Sequence, residues 1–175
     1  MRHLTSADYR VMPWANGRGV TTEMVRVDRR GVLDWRLSMA QVVEDGPFSR
    51  LPGIERNLTV IEGPGFDLVG PGVRLRAAPL EPVGFSGDLE IGALGVSGPS
   101  VDFNVMTAGR VAKVQVVRGA EVLNPEGAVL CVLALQMPGL GRLDLLIGHE
   151  TVAVDGLGLA VWIGNAIRDR AAPHP

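Results

Sequence analysis

Polar and apolar residues alternate along several short runs, and three of these set polar side chains on a strand face. From Trp35 to Met39 the alternation is strict: Trp35, Leu37 and Met39 share one face, Arg36 and Ser38 the other. Arg56 to Glu62 sets Arg56, Leu58, Val60 and Glu62 against Asn57, Thr59 and Ile61. Val101 to Met106 repeats the device, with Asp102, Asn104 and Met106 opposing Val101, Phe103 and Val105. A β-barrel wall reads this way when one face meets something other than apolar neighbours. Between the first two runs lies the stretch from Gly46 to Gly53, with turn signals at Gly46-Pro47 and Pro52-Gly53 and an aromatic, Phe48, to pack beneath. It reads as the clamp that sets the register of the flanking strands, not as part of a site.

The rest of the chain extends the all-β pattern. Val20 to Val27 reads as a strand, and Gly70-Pro71-Gly72 joins Phe66–Val69 to Val73–Arg76 as a hairpin. From Arg110 the texture changes. Val111–Val117, Ala128–Leu135, Arg142–Ile147, Thr151–Asp155 and Leu159–Ile163 read as five strands with ordinary loops and few polar side chains. Roughly a dozen strands at regular spacing predict a barrel or a pair of sandwiches. The change of texture divides the chain into 1–108, with the unusual polar faces, and 109–175, packed as one compact unit. No helical periodicity is sustained; a short turn is expected near Ala166–Ala171, followed by a frayed tail.

Composition narrows the function classes. Hydrophobic residues make up 46% of the 175, enough for a sizeable core, and 23 glycines with 12 prolines fit many turns. The net charge is −2, and no run of like charge exceeds Arg29-Arg30, so neither a basic stripe nor an aromatic platform is available for nucleic acid. Cys131, the only cysteine, lies in an apolar run where a thiol acts as a small hydrophobe. No stretch has the length of a membrane span and the N-terminus lacks an apolar signal core. The expectation is a cytoplasmic protein with no membrane or nucleic-acid partner, leaving room for a homodimer.

Candidate chemistry is sparse. His3 and His174 lie near the termini, which leaves His149 as the interior histidine, and one imidazole does not make a zinc or non-haem iron site. No Gly-x-Ser-x-Gly elbow is present, and acid/base work would fall to Asp102, Glu62 or Glu23. What stands out is the polar set Arg36, Ser38, Arg56, Asp102 and Asn104, with Trp14 and Asn16 in a loop of irregular backbone. Two arginines from separate strands can fork carboxylates, with Ser38 and Asn104 adding neutral hydrogen bonds. The alternative is a solvated sheet face with Arg36 and Asp102 as a structural ion pair. No catalytic residue, metal or cofactor is assigned.

The same residues carry a family resemblance. Pro13-Trp14-Ala15-Asn16-Gly17, Trp35-Arg36-Leu37-Ser38, Asp45 through Gly53, Arg56, Gly87-Asp88 and Asp102 through Met106 occur in the order found in the HutD/Ves family. The similarity covers about residues 5 to 165. Ala15 stands where the family usually has Lys, Arg18 replaces a Gly and Leu51 a Phe. The resemblance implies a cupin-like, bicupin β-barrel without the usual cupin metal ligands. It further implies a non-enzymatic regulator of histidine utilisation that senses a carboxylate intermediate such as N-formylglutamate or urocanate. The competing reading is a cofactor-independent cupin isomerase or hydrolase acting on a small organic acid.

Overall fold

The computed structural model describes residues 1–14 and 19–166. Asn16, the tail, and the expected 166–171 turn beyond Ala166 lie outside the described residues. Among those residues the regular structure is all strand apart from one 3-10 turn, Ser6–Asp8. The strands form four sheets. The largest runs in space Arg10–Pro13, Val20–Arg29, Val32–Val42, Ser100–Thr107, Glu55–Glu62, Val83–Ser86. A four-stranded sheet, Gly46–Pro47, Gly92–Leu94, Phe66–Gly70 and Val73–Ala77, covers one of its faces. A five-stranded sheet, Arg2–Leu4, Leu145–Gly148, Val129–Gln136, Leu157–Ala166 and Arg110–Arg118, covers the other. Glu121–Leu123 and Val152–Val154 pair as a small outer ribbon.

Strand alternation distributes the core among these layers. Trp35, Leu37, Met39, Phe103 and Val105 leave one face of the six-stranded sheet and meet Cys131, Leu133, Leu159, Val161 and Ile163 of the five-stranded sheet. Opposite-parity positions, Val42, Leu58 and Val60, meet Phe66, Leu68, Ala77 and Ala93 across the first half. A third cluster, including Val117, Leu123, Leu130, Val132 and Ala160, fills the second half. Leu37, Phe103 and Leu133 are fully buried, and each such side chain contributes about 1.5–3 kcal/mol.

The N-terminal strand joins a sheet whose other strands all follow residue 108. Arg2–Leu4 pairs antiparallel with Leu145–Gly148, so it belongs to the sheet of the second half. Buried Leu4 and the Tyr9 hydroxyl, which donates to the Leu143 carbonyl at 2.7 Å, hold it there.

Candidate functional site

Three neighbouring strands bring the polar set together. Ser100–Thr107 lies between Val32–Val42 and Glu55–Glu62, with Asn104 opposite Ser38, Asp102 opposite Ala40, and Met106 opposite both Arg36 and Arg56. All of these residues line one cavity of about 470 Å³, where the interior of the first half runs out of apolar side chains. Where Val42, Leu58 and Val60 fill the sandwich, the same strands present Ser38, Arg36 and Arg56 further along, with Asn104 on the strand between them. Every described residue of the expected set lines the cavity, as do Thr21, Ala40, Phe48, Ser49 and Leu51.

Arg56 is the central cation. It is 8% exposed, and burial pulls its pKa down, with nearby Asp102 opposing the shift and Arg36 adding to it. Its Nη2 donates to Asn104 Oδ1 at 3.3 Å and its Nη1 to the Ser49 carbonyl at 3.4 Å, while Nε has no hydrogen-bond partner. No carboxylate oxygen of the described residues comes within ion-pair distance of it. Its guanidinium carbon lies 5.4 Å from the Phe48 ring centre and 5.0 Å from that of Phe85, an aromatic support for the charge. Phe48 is held in turn by an edge-on contact with fully buried Phe66.

The stretch 46–53 is therefore a wall of the site, which corrects the expectation of a mere register clamp. Gly46-Pro47 pairs with Gly92-Ala93 of the four-stranded sheet, so the turn crosses between sheets and closes the cavity with Pro47, Phe48, Ser49 and Leu51. Its base is locked by backbone hydrogen bonds from Leu51 to Gly87 and from Gly87 to Ile54, at 2.8 and 2.7 Å. The Gly53 amide donates to the Asp88 carboxylate at 3.1 Å. A Cβ on Gly87 would stand 2.4 Å from the Leu51 carbonyl oxygen, so this approach requires glycine.

Arg36 pairs with Glu23, not with Asp102: its Nε lies 2.8 Å from Glu23 Oε2, although that N–H makes no well-aligned hydrogen bond. A β-bulge explains the partner. The register between Val20–Arg29 and Val32–Val42 slips between Glu23 and Val25, so Glu23 sits opposite Ser38 while Val25 sits opposite Leu37. Thr21 and Glu23 therefore share the cavity face of the sheet, and Met24 is turned into the core between the sheets. Trp14 reaches the same cavity, its indole N–H donating to Thr21 Oγ1 at 2.8 Å. The missing side chain of Gly19 makes room for that ring, since a Cβ there would lie 2.8 Å from it.

Asp102 is 1% exposed, and burial pushes its pKa up to about 7 against the opposing pull of the Asn104 hydrogen bond, Arg56 and the Ala40 backbone. Asn104 Nδ2 donates to Asp102 Oδ1. A bulge lies here too, the register to Glu55–Glu62 slipping between Val101 and Asp102. The other candidate groups lie elsewhere. Glu62 is a surface partner of Arg142 at 2.6 Å, His149 is an exposed loop residue with Nδ1 3.0 Å from the Ala128 carbonyl, and Cys131 is buried in the core. Among the described residues no three His, Cys, Asp or Glu side chains cluster closely enough to hold a metal ion. A second cavity, about 380 Å³, opens in the second half beside Trp162, with Lys113 stacked over the indole.

Layered antiparallel sheets around a polar cavity define an all-β, cupin-like protein. The chain belongs to the HutD family, whose profile matches residues 6–137. It is 37% identical over 108 residues to an uncharacterized 21.2 kDa protein in the hutC 3′ region of Pseudomonas putida, covering 60% of this chain and 57% of that one. Protein Ves of Escherichia fergusonii is 35% identical over 115 residues, covering 62% of this chain and 60% of Ves. The match thus spans about three-fifths of these curated relatives' length. The structure of HutD from Pseudomonas fluorescens SBW25 (formate condition) superposes with a TM-score of 0.83 at 30% identity, over 93% of this chain and 97% of that one. A cupin 2 conserved barrel domain protein from Leptotrichia buccalis, 8% identical, shares the fold with a TM-score of 0.55 over 84% of this chain and 89% of its own.

Proposed function

We propose that the chain is a metal-free binding protein for a small carboxylate, held in the cavity of its first half. The observation that carries this reading is Arg56: a buried guanidinium with an unpartnered Nε, bordering a cavity and lacking an ion pair among the described residues. A buried cation is costly unless an anion completes it, and a ligand carboxylate meets that need. Asn104, Ser38 and Trp14 surround the same space and supply neutral hydrogen bonding and an aromatic wall. With HutD membership, this supports a regulator of histidine utilisation that senses N-formylglutamate or urocanate, built as two cupin-like halves and needing no cofactor, nucleic acid or membrane. Calorimetry with N-formylglutamate, urocanate and glutamate tests it. Wild type should bind at least one of them, and Arg56→Met, which keeps the side-chain bulk between the phenyl rings, should not. Absence of binding to all three, or equal binding by the variant, sinks the reading.

One observation favours a second reading. A carboxyl held near neutrality inside a cavity suits general acid/base catalysis, which points to Asp102 as the catalytic group of a cofactor-independent isomerase or hydrolase of a small organic acid. Turnover of a candidate acid, abolished by Asp102→Asn without loss of binding, separates this enzyme from the sensor.

A further inference from the structure

We infer, resting on the carboxylate-binding reading, that the cavity admits one ligand carboxylate at Arg56 and that Asp102 takes up a proton from solvent as it enters. The charge inventory leads there. Among the described residues the cavity lining carries three charged groups: Arg36 from one flanking strand, Arg56 from the other, and Asp102 on the strand between them. Arg36 is already balanced by Glu23 from the next strand. Asp102 has only neutral neighbours otherwise, the Asn104 amide and the Ala40 backbone, while Ser38 and Thr21 complete the polar lining. Arg56 is thus the one cation left to share between two carboxylates, that of Asp102 and that of the ligand.

Two carboxylates beside one buried guanidinium do not both stay ionised at low cost, because the second meets a site that is already neutral. Protonating Asp102 removes the conflict. The ligand's charge then pairs with Arg56 directly, where the Asp102 charge acts only from beyond ion-pair distance, and the new Asp102 hydroxyl becomes a donor toward the cavity, with Oδ1 still accepting from Asn104. Burial prepares Asp102 for this, since its carboxyl already titrates about 7. Asp102 is therefore a charge-selecting residue. The cavity matches a single carboxylate flanked by neutral polar atoms, and any second carboxylate of a ligand belongs at the solvent-facing mouth.

The test is calorimetry of N-formylglutamate, with formate as the minimal carboxylate, from pH 5.5 to 8.5 in pairs of buffers that differ in ionisation heat. Both probes are fully ionised over this range, so only protein groups titrate. Expected for wild type are uptake of close to one proton per ligand at pH 8, little uptake at pH 5.5, and affinity falling by about tenfold per pH unit above 7. Asp102→Asn should bind with no pH step and no proton uptake. Binding by wild type without proton exchange overturns the coupling and leaves the carboxylate reading standing, as does an Asp102→Asn variant that keeps the pH slope. Absence of binding at every pH overturns both. If the variant does not fold, the proton count on wild type decides alone.

Discussion

Arg56 finds its side-chain partner on the neighbouring strand in Asn104, whose Oδ1 accepts from Nη2 at 3.3 Å. The same amide donates to Asp102, so one neutral side chain joins a buried cation to a buried carboxyl. Replacing it with the similarly shaped Leu removes both bonds and leaves two buried polar groups short of a partner. Each costs about 1–3 kcal/mol. Asn104→Leu should therefore lose roughly 2–4 kcal/mol in urea unfolding at pH 7, with no change in the slope of the transition. A loss below about 0.5 kcal/mol would mean water already serves these groups in the native state.

The two arginines differ in what surrounds them, and substitutions should rank accordingly. Arg56 combines burial, two aromatic rings and a free Nε, whereas the charge of Arg36 is offset by Glu23. Lys keeps the charge at position 56 but loses the planar fork and its stacking. Arg56→Lys should weaken carboxylate binding by about 100-fold, and Arg36→Lys by about tenfold or less. Titrations of the two variants in parallel check this, and a reversed order would move the anion site to Arg36.

Strand parity decides how much of the site a one-dimensional pattern carries. The alternation at Trp35–Met39 and Val101–Met106 placed Arg36, Ser38, Asp102 and Asn104 on one face because strand parity is local, and the faces meet as the pattern implies. Glu23 was not legible as the partner of Arg36, since the bulge at Met24 shifts parity in the middle of its strand and nothing in the residue order announces it. Phe48 and Phe85 lie 37 positions apart and meet at Arg56 only through the crossing between sheets. The pairing of Arg2–Leu4 is hidden from the residue order for the same reason: its partner, Leu145–Gly148, lies at the other end of the chain.

Cys131 should be inert in the native protein. Its thiol is fully buried among apolar side chains, and burial pushes its pKa up to about 12. A thiol-specific disulfide reagent should therefore react at the rate of global unfolding at pH 8, and within seconds once urea unfolds the chain. Rapid stoichiometric labelling without denaturant would contradict the burial of Val129–Gln136 between its neighbouring strands.

Asp102 makes the protein less stable as pH rises through neutrality. Its folded-state pKa, about 7, exceeds the ordinary 3.8, so between these values the folded state holds a proton that the unfolded state has released. Stability is fully present below the ordinary value and falls by about 1.4 kcal/mol per pH unit until the folded-state pKa is reached. Asp102→Asn removes this dependence. The stability of the variant relative to wild type should increase by about 2–3 kcal/mol between pH 5 and pH 8, measured by urea unfolding at both. An unchanged difference would show that Asp102 is ionised throughout.

Asp34 and Arg110 give the opposite sign at the junction of the two large sheets. Arg110 clamps the Asp34 carboxylate through Nε and Nη2, both at 2.7 Å, and donates from Nη1 to the Gly164 carbonyl at 2.9 Å. The Ala108 amide also donates to the Asp34 carbonyl, so the pair fastens the connection between Ser100–Thr107 and Arg110–Arg118. The Arg110 hydrogen bonds hold the Asp34 pKa below its ordinary 3.8, outweighing the opposing effect of burial. The stabilisation is complete above that ordinary value and is lost as pH falls through the lower folded-state pKa. Arg110→Met should cost about 2–4 kcal/mol at pH 7, because it leaves a carboxylate that is only 6% exposed with no cation closer than the exposed Arg29, whose Nε lies 3.7 Å away. The cost should shrink as pH falls below about 4, where that carboxylate takes up a proton. Urea unfolding of wild type and Arg110→Met at pH 7 and at pH 3 reads both limbs, and a penalty equally large at pH 3 would assign the loss to packing of the arginine stem instead of to its charge.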